Sequence, residues 1–304
     1  NEPVSRSGGI ASIISLFLFF GIYYLLFNNF PLEYLFVCTT LFVIGFLDDI
    51  KINTSPNTRL TLMVIFLILF ISLLPIEIKN VDLFFLNSWL ENKIFSIFFL
   101  LLSFLFIING ANLIDGFNGL LTINLIVINS ILLFINLDNN HMEFSFFLTS
   151  QIIILISFLL FNFPKAKMFL GDSGSYLFGS LVALNIIMTN NLNTTISSFF
   201  LCILLFYLFF EVFFSFFSKI YQKKSPVFPD NKHLHMLSFI QISQIFGPDK
   251  SNYTNSIIIN LVYCILVLPS IYFADNSLVC KYWFFSLIFI YTLIYIRLYR
   301  LTKN

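Results

Sequence analysis

Ten long apolar runs constrain this chain more than any other feature, because together they occupy over half of its 304 residues. A helix needs about 20 apolar residues to cross the hydrocarbon core of a bilayer, and membrane-spanning strands would show a two-residue alternation that these runs lack. The runs predict membrane helices, to within a few residues at each end, at 10–27, 32–47, 60–76, 94–109, 119–137, 145–163, 175–189, 196–217, 256–274 and 281–297. The predicted fold is therefore an all-α polytopic membrane protein with about ten transmembrane helices.

The composition agrees with a membrane protein. Hydrophobic residues make up 59% of the chain and charged residues only 10%, whereas a soluble domain carries about 25% charged residues. The net charge of +1 gives no general attraction to nucleic acid, so the expected partner is the lipid bilayer and no nucleic acid is expected. The four cysteines lack a metal-binding spacing. We treat residues 1–304 as one integral membrane domain and expect a further N-terminal segment, since the chain begins with Asn1.

The basic residues orient the predicted helices. If the spans alternate in direction, 13 of the 16 Lys and Arg residues fall on the side of the N-terminus: Arg6, Lys51, Arg59, Lys165, Lys167, Lys219, Lys223, Lys224, Lys232, Lys250, Arg297, Arg300 and Lys303. The other side holds only Lys79, Lys93 and Lys281. Because basic residues concentrate in cytoplasmic loops, we expect residues 48–59, 110–118, 164–174 and 218–255 to be cytoplasmic.

The unusual polar clusters all fall on that face. They read GFLDDI (45–50), NGANLIDGFNGL (109–120), FLGDSGS (169–175) and PDNKHLHML (229–237). They contain Asp48, Asp49, Asp115 and Asp172, which would repel one another unless a cation neutralised them, and hard carboxylate oxygens favour Mg²⁺ or Mn²⁺. Mg²⁺ usually keeps substrate phosphates among its ligands, so the clusters predict phosphoryl chemistry. An acidic pair alone would equally fit a solvated helix end.

Three further side chains allow two interpretations each. His233 and His235 would contact a phosphate or be ordinary loop residues, and no third or fourth zinc ligand lies near them in the sequence. Glu211 lies inside the eighth apolar run. A carboxylate within a membrane span indicates a functional site or a buried hydrogen-bond partner of a neighbouring helix, and we weigh the two equally.

In this order, the segments PVSRSGG, GFLDDI, NLIDGFNGL, FLGDSGS and PDNKHLHML resemble the polyprenyl-phosphate N-acetylhexosamine-1-phosphate transferases over residues 3–237. That family includes the initiators of O-antigen, enterobacterial common antigen and teichoic acid synthesis, and the phospho-MurNAc-pentapeptide translocase. The resemblance implies transfer of a sugar-1-phosphate from a UDP-sugar donor to polyprenyl (undecaprenyl) phosphate, with release of UMP and with Mg²⁺, or Mn²⁺, as the cofactor. It also implies the bacterial cytoplasmic (inner) membrane and a cytoplasmic-face active site, and it leaves a homodimer open.

The resemblance assigns roles to individual residues. The matches are Asp48, Asp49, His233 and His235 as catalytic residues, Asn112, Asp115, Asn118 and Glu211 as substrate-binding residues, and Asp172 as the metal ligand. Within these roles, the acidic pair would activate the lipid phosphate and organise the metal site. The histidines would lie near the diphosphate, and the three residues of the NLIDGFNGL segment would lie at the nucleoside.

Departures from the family pattern bear on the substrate. Asn118 stands where a second Asp is usual, Met236 stands where another His is common, and PVSRSGG differs from the Thr-rich segment of the pentapeptide translocase. These differences favour a simpler sugar-1-phosphate transferase that initiates a cell-envelope glycan such as O-antigen. The alternatives are the phospho-MurNAc-pentapeptide transferase and, in a different class, a membrane transporter with a carboxylate-lined site. A transporter would distribute its carboxylates across the bilayer. Among the candidate site residues here, only Glu211 lies within a span, and the four aspartates lie at one edge.

Overall fold

The computed structural model describes residues 4–52, 54–79, 81–221 and 232–302. Within these ranges the chain is helical and contains no strand, only an isolated parallel bridge between Ser5 and Met168. The α-helices are α1 Gly8–Phe27, α2 Leu32–Asp49, α3 Pro56–Leu73, α4 Phe84–Leu90, α5 Lys93–Ile114, α6 Leu120–Asp138, α7 Met142–Asn162, α8 Gly171–Leu192, α9 Ser198–Tyr221, α10 Leu234–Phe246, α11 Pro248–Val267 and α12 Ser277–Leu301. A 3-10 helix, Leu268–Phe273, continues α11.

Each of the ten predicted runs is a helix, which confirms the all-α polytopic fold. Among the described residues, 8 helices are long and apolar enough to cross a membrane by length and composition. Of the ten, α2 and α8 fall short of that standard. Helix α2 carries three carboxylates, Glu33, Asp48 and Asp49, and α8 carries many small and polar residues. Both helices pack inside the bundle, so their polar residues meet protein more than lipid.

Two helices were not predicted from the sequence. Helix α4 has 7 residues and α10 has 13, so neither produces an apolar run long enough to register as a span. Helix α10 lies within 218–255, which we expected to be cytoplasmic. Its sequence LHMLSFIQISQIF is largely apolar, and the helix packs against α11 and α12. Residues 222–231 of that segment lie outside the described residues.

Helix α8 is the centre of the bundle. It packs against α1, α2, α5 and α6, and its residues from Ser173 to Ile187 are all buried. Close packing against α2 depends on Gly45, because a Cβ atom there would meet the backbone carbonyl of Asp172. Asn185, midway along α8, bonds to Tyr34 of α2, Gln151 of α7 and Asn129 of α6. Small residues and interhelical hydrogen bonds are the usual means of helix association in membranes.

Local signals place several helix ends at the same end of the bundle. Ser55 caps α3, accepting a hydrogen bond from Thr58 N at 3.1 Å, with Pro56 following at the first helical position. Helix α8 begins at Gly171, whose φ of +79° lies in the left-handed region that favours glycine. These starts lie beside the C-terminal ends of α2 and α5, so the polar clusters of four helices come together.

Candidate active site

The Arg59 guanidinium lies between two of the predicted carboxylates. Its Nη1 atom is 3.0 Å from Asp48 Oδ2 and 2.6 Å from Asp172 Oδ2. Asp48 lies in the last turn of α2, Asp172 lies in the first turn of α8, and Arg59 lies in the first turn of α3. The two carboxylate side chains remain 29% and 20% exposed. Three helices therefore present two acids and one base to a point that solvent reaches.

Asp49 has a different environment from its neighbour. Its side chain is 3% exposed. Oδ1 accepts a hydrogen bond from Asp172 N at 3.0 Å, and Oδ2 accepts from Ser173 N at 2.9 Å and from Ser173 Oγ at 2.6 Å. The first turn of α8 has unsatisfied N–H groups and the positive end of the helix dipole, and a carboxylate satisfies both. Asp49 thus caps α8 from another helix.

The N-terminal segment PVSRSGG pairs with the segment before α8. Gly8 N donates to Phe169 O at 3.0 Å, and Phe169 N donates to Ser5 O at 2.9 Å. Arg6 Nη1 lies 3.7 Å from Asp49 Oδ1. Pro3 lies outside the described residues. The segments PVSRSGG and FLGDSGS are therefore joined by backbone hydrogen bonds.

Two residues of the NLIDGFNGL segment, Asn112 and Asp115, lie at the same end. Asn112 Oδ1 accepts a hydrogen bond from Ser175 Oγ at 3.0 Å. The same hydroxyl also lies 3.2 Å from Asp172 O. Asp115 follows the last residue of α5 and is half-buried. Burial, and then the Asp172 and Asp49 carboxylates, raise the pKa of Asp115 well above its usual range. The carboxylates at this end of the bundle therefore influence one another.

Asn118 anchors the loop that joins α5 to α6. Its backbone N donates to Asn252 Oδ1 at 2.9 Å, and its Nδ2 donates to Pro164 O at 3.0 Å. The next residue, Gly119, donates to Asn162 Oδ1 at 2.7 Å. These bonds hold residues 115–119, which we call the Asp115 loop, against the ends of α7 and α11. The side-chain carbonyl of Asn118 has no described protein donor, so a role at the nucleoside stays a prediction.

Glu211 and the histidines form a buried group beside the Asp115 loop. Glu211 Oε2 is 3.2 Å from His233 Nδ1, and Glu211 Oε1 is 3.6 Å from His235 Nδ1. The two imidazole rings stack with centroids 5.4 Å apart and planes 3° apart. His235 Nε2 is the nearest side-chain atom to Gly116, 3.7 Å from the position of a Cβ there. We call His233 and His235 the histidine pair.

The structure thus brings all nine predicted site residues to one end of the bundle, in two groups. Asp48, Asp49 and Asp172 gather near Arg59, while Glu211 and the histidine pair lie on the other side of the Asp115 loop. Arg59, Ser173 and Ser175 were not predicted from the sequence as parts of the site. Arg59 gave a usable signal, because it is a charged residue at the edge of an apolar run. The two serines gave none, because α8 also carries Ser180, which donates to the backbone of its own helix.

A groove of about 540 Å³ leads away from Arg59 between α3, α5 and α9. Its polar end contains Arg59, Asn112 and Tyr176, with Lys219 on the α9 side. Its apolar wall is formed by Leu60, Met63, Leu102, Leu105, Phe106, Leu113, Val212 and Phe216. Leu60 and Phe216 are 38% and 43% exposed. The groove therefore joins an end that holds Arg59, its two paired carboxylates and hydrogen-bonding side chains to an apolar surface of the bundle.

Comparison with known proteins supplies the family. Residues 31–190, which contain the acidic pair, the Asp115 loop and Asp172, match the family described as "Glycosyl transferase family 4". This match covers more than half of the chain. The chain belongs to glycosyl transferase family 4.

Individual relatives in this family are similar over a shorter stretch. A Clostridium perfringens (strain 13) protein is 32% identical over 149 residues, which is 46% of this chain and 47% of the relative. A Helicobacter pylori (strain Shi470) protein is 30% identical over 175 residues, 49% of each. Both relatives are named phospho-N-acetylmuramoyl-pentapeptide-transferase. The chain thus aligns with about half the length of these relatives. Their name belongs to the alternative that the sequence analysis ranked second, so the preference for a simpler sugar donor is not confirmed.

Proposed function

We propose that this protein transfers a sugar-1-phosphate from a UDP-sugar to polyprenyl phosphate and releases UMP. The observation that carries the proposal is the groove. A polyprenyl phosphate has one anionic end and a long hydrocarbon tail, and the groove has two cationic side chains, Arg59 and Lys219, at one end and an apolar wall along the rest. An acceptor that resides in the bilayer needs a site that a membrane helix bundle can offer.

The residues at the polar end fit a hard divalent cation. Asp48 and Asp172 direct one oxygen each toward the same nitrogen of Arg59. Among the described residues, no group of three His, Cys, Asp or Glu side chains forms a ligand set. Two carboxylates at one point fit Mg²⁺, which typically takes one or two carboxylates and completes its shell with water and substrate phosphates. Asp172 and Asp48 would hold the ion, which supplies charge neutralisation at the transferring phosphoryl group.

The chain's own residues supply position and charge. The second pKa of a phosphate monoester is about 6, so the lipid phosphate is largely ionised and a strong base is less needed than placement. Arg59 and Lys219 would hold the lipid phosphate at the polar end of the groove. Asp49 and Ser173 fix the start of α8, which sets the position of Asp172. The Asp115 loop, anchored through Asn118, would receive the nucleotide.

Two UDP-sugar donors are candidates. The departures at Asn118 and Met236 favour a UDP-N-acetylhexosamine, whereas the names of the relatives favour UDP-MurNAc-pentapeptide. Both donors share the UDP and the phosphate-bearing sugar, and they differ in the size of the group on that sugar. The excess of basic residues on this face supports a site that opens to the cytoplasm, as both donors require.

The test offers the purified chain undecaprenyl phosphate, Mg²⁺ and each donor in turn, and measures UMP together with the lipid product. We expect UMP with one donor only, and none when the lipid is left out. Arg59→Met, which keeps a long apolar side chain but removes the charge, should lower the rate at least tenfold, about 1.4 kcal/mol of barrier. UMP release without lipid, or no UMP with any donor, would contradict the proposal.

A further inference from the structure

Glu211 is the most deeply buried carboxylate of this end of the bundle. It is 1% exposed and lies in α9 within a membrane-spanning stretch. A buried carboxylate is costly unless it is paired. In the described part of the chain, its ion pairs are both with imidazoles, those of the histidine pair. The other titratable groups beside it are the hydroxyls of Tyr207 on α9 and Tyr291 on α12, and tyrosines are neutral near pH 7.

The contacts use the same nitrogen of each ring. Both distances, 3.2 Å for His233 and 3.6 Å for His235, involve Nδ1. An imidazole whose Nδ1 faces a carboxylate carries its proton there, because the carboxylate can only accept. Since the rings are parallel and point Nδ1 at one carboxylate, their Nε2 atoms face away from it. The Glu211 carboxylate is thus within hydrogen-bond distance of His233 and faces His235 at ion-pair distance, so it favours a proton on Nδ1 of both rings.

The far side of the pair faces the Asp115 loop. His235 is 0% exposed, and neither of its ring nitrogens has a hydrogen-bond partner among the described residues: Nδ1 lies 3.6 Å from Glu211 Oε1, beyond hydrogen-bond distance, and no described donor or acceptor bonds to Nε2. The Nε2 atom faces Gly116, and the Phe117 ring meets the His235 ring edge-on at 5.7 Å. A buried, unsatisfied ring nitrogen calls for a partner that arrives with a ligand or water.

We propose that Glu211 is a positioning residue: its carboxylate accepts a hydrogen bond from His233 Nδ1, faces His235 Nδ1, and turns both Nε2 atoms toward the diphosphate of a nucleotide at the Asp115 loop. The inference rests on the proposed function for the identity of the ligand. The arrangement of Glu211 and the two rings stands apart from it. Glu211 itself touches the histidines and not the substrate.

The chain has only three histidines, so ¹⁵N-histidine NMR can read each ring. We expect His233 and His235 to carry a proton at Nδ1. Glu211→Gln should change the tautomer of at least one of these rings while the His141 signals stay fixed, because one end of the amide is a donor and cannot accept from Nδ1. Glu143→Gln, a matched change at the opposite end of the bundle, should alter neither ring. A wild-type spectrum with the proton of either ring on Nε2 and a bare Nδ1 overturns the proposal without any variant.

The ligand is tested with UDP as the probe. Adding UDP should shift the ring signals of His233 and His235 and leave those of His141 in place, whether or not the protein turns over. Unmoved signals at saturating UDP would overturn the part of the proposal that concerns the diphosphate. If the signals move but no UMP forms with any donor, the proposed transfer reaction fails and the positioning role stands.

Kinetics separate positioning from a merely structural effect. Groups that orient a functional histidine through a hydrogen bond typically contribute 10–100-fold to activity. Glu211→Gln should therefore lower kcat/KM by about that factor with an unchanged melting temperature. In a His235→Asn background the same change should cost little more, because residues that act as a unit are not additive. Full additivity of the two losses would contradict a role through the ring.

Discussion

At the scale of single residues, the two adjacent aspartates have separate tasks. Asp49 is buried and accepts three hydrogen bonds from the first turn of α8. Asp48 is partly exposed and shares Arg59 with Asp172. Neighbours on a helix point in directions about 100° apart, so one side chain faces α8 and the other faces the opening. The acidic pair predicted from the sequence thus contains one carboxylate that caps α8 and one that is paired with Arg59 at the opening.

Asp49→Asn and Asp48→Asn should therefore have different effects. Both oxygens of Asp49 accept hydrogen bonds, whereas Asn has one acceptor oxygen and would leave a buried N–H group unpaired at a cost of about 1–3 kcal/mol, so Asp49→Asn should lower the melting temperature in detergent. Asp48→Asn should leave the melting temperature unchanged and lower turnover at least tenfold. The two variants differ by one position and carry the same substitution, so each is the control for the other. Equal melting temperatures would contradict the division of roles.

Arg59 competes with any cation that Asp48 and Asp172 would hold. Arg59→Met should raise the affinity for Mn²⁺, measured by electron paramagnetic resonance of the free ion, by about tenfold for each 1.4 kcal/mol of competition removed. Lys51→Met, an exposed basic residue on the same face, is the control and should leave Mn²⁺ binding unchanged. Weaker Mn²⁺ binding in Arg59→Met would mean that the guanidinium supports the ion and does not compete with it.

At the scale of helices, the site depends on how closely α2 meets α8. Gly45 lets the two backbones approach, and the contact carries Asp49 to the start of α8. The polar residues that lower the hydropathy of α8 are those that bond to its neighbours, as Asn185 does. Helix α8 is therefore less apolar than the helices α1, α2, α5 and α6 around it and is still deeply buried, because its partners are helices and not lipid.

Gly45→Ala tests this contact. The added methyl group would meet the carbonyl of Asp172, so α2 must move and the Asp49 cap must lengthen. We expect a lower melting temperature and a turnover reduced at least tenfold. Gly21→Ala in α1 is the matched control, since a Cβ there meets nothing within 4 Å. It should be neutral or slightly stabilising, because alanine is about 1 kcal/mol better than glycine within a helix. Equal losses in both variants would rule out the α2–α8 contact as the cause.

At the scale of the whole molecule, the described residues of the polar segments meet at one end of the bundle, and the basic side chains of Arg6, Arg59 and Lys219 lie at that end. Of the 13 basic residues predicted on this face, Lys223, Lys224 and Lys303 lie outside the described residues. The far end holds Lys93 and Glu143, with the latter bonded to Asn29 at 3.1 Å. Because the charge bias and the site share one end, the site should open to the cytoplasm.

Cysteine labelling in intact cells tests this orientation in a background without the native cysteines. Lys51→Cys and Lys165→Cys should react with an impermeant maleimide only after the membrane is opened. Lys93→Cys should react from outside. All three positions are exposed. The reverse pattern would place the site outside the cell, and Lys51→Cys and Lys165→Cys reacting from opposite sides would contradict the fold.

Although α11 begins at Pro248 and not at the predicted residue 256, the sequence alone predicts the number and approximate positions of the long helices and the end of the bundle at which the polar segments gather. Those features follow from local hydropathy and from charge near the span ends, which a single pass along the chain can read. It also singled out Asp48, Asp172 and Glu211, since charged residues beside or within apolar runs are rare.

Which side chains meet depends on the tertiary structure. Asp49 and Ser173 are 124 positions apart, yet their hydrogen bond depends on the rotation of two helices about their axes. The same holds for Arg59 between two carboxylates and for Glu211 behind the histidine pair. Rotation and crossing are set by close packing at small residues such as Gly45, where backbones approach within a methyl group's width. Hydropathy reports that a helix is in the membrane, but it does not report which neighbour each face will touch.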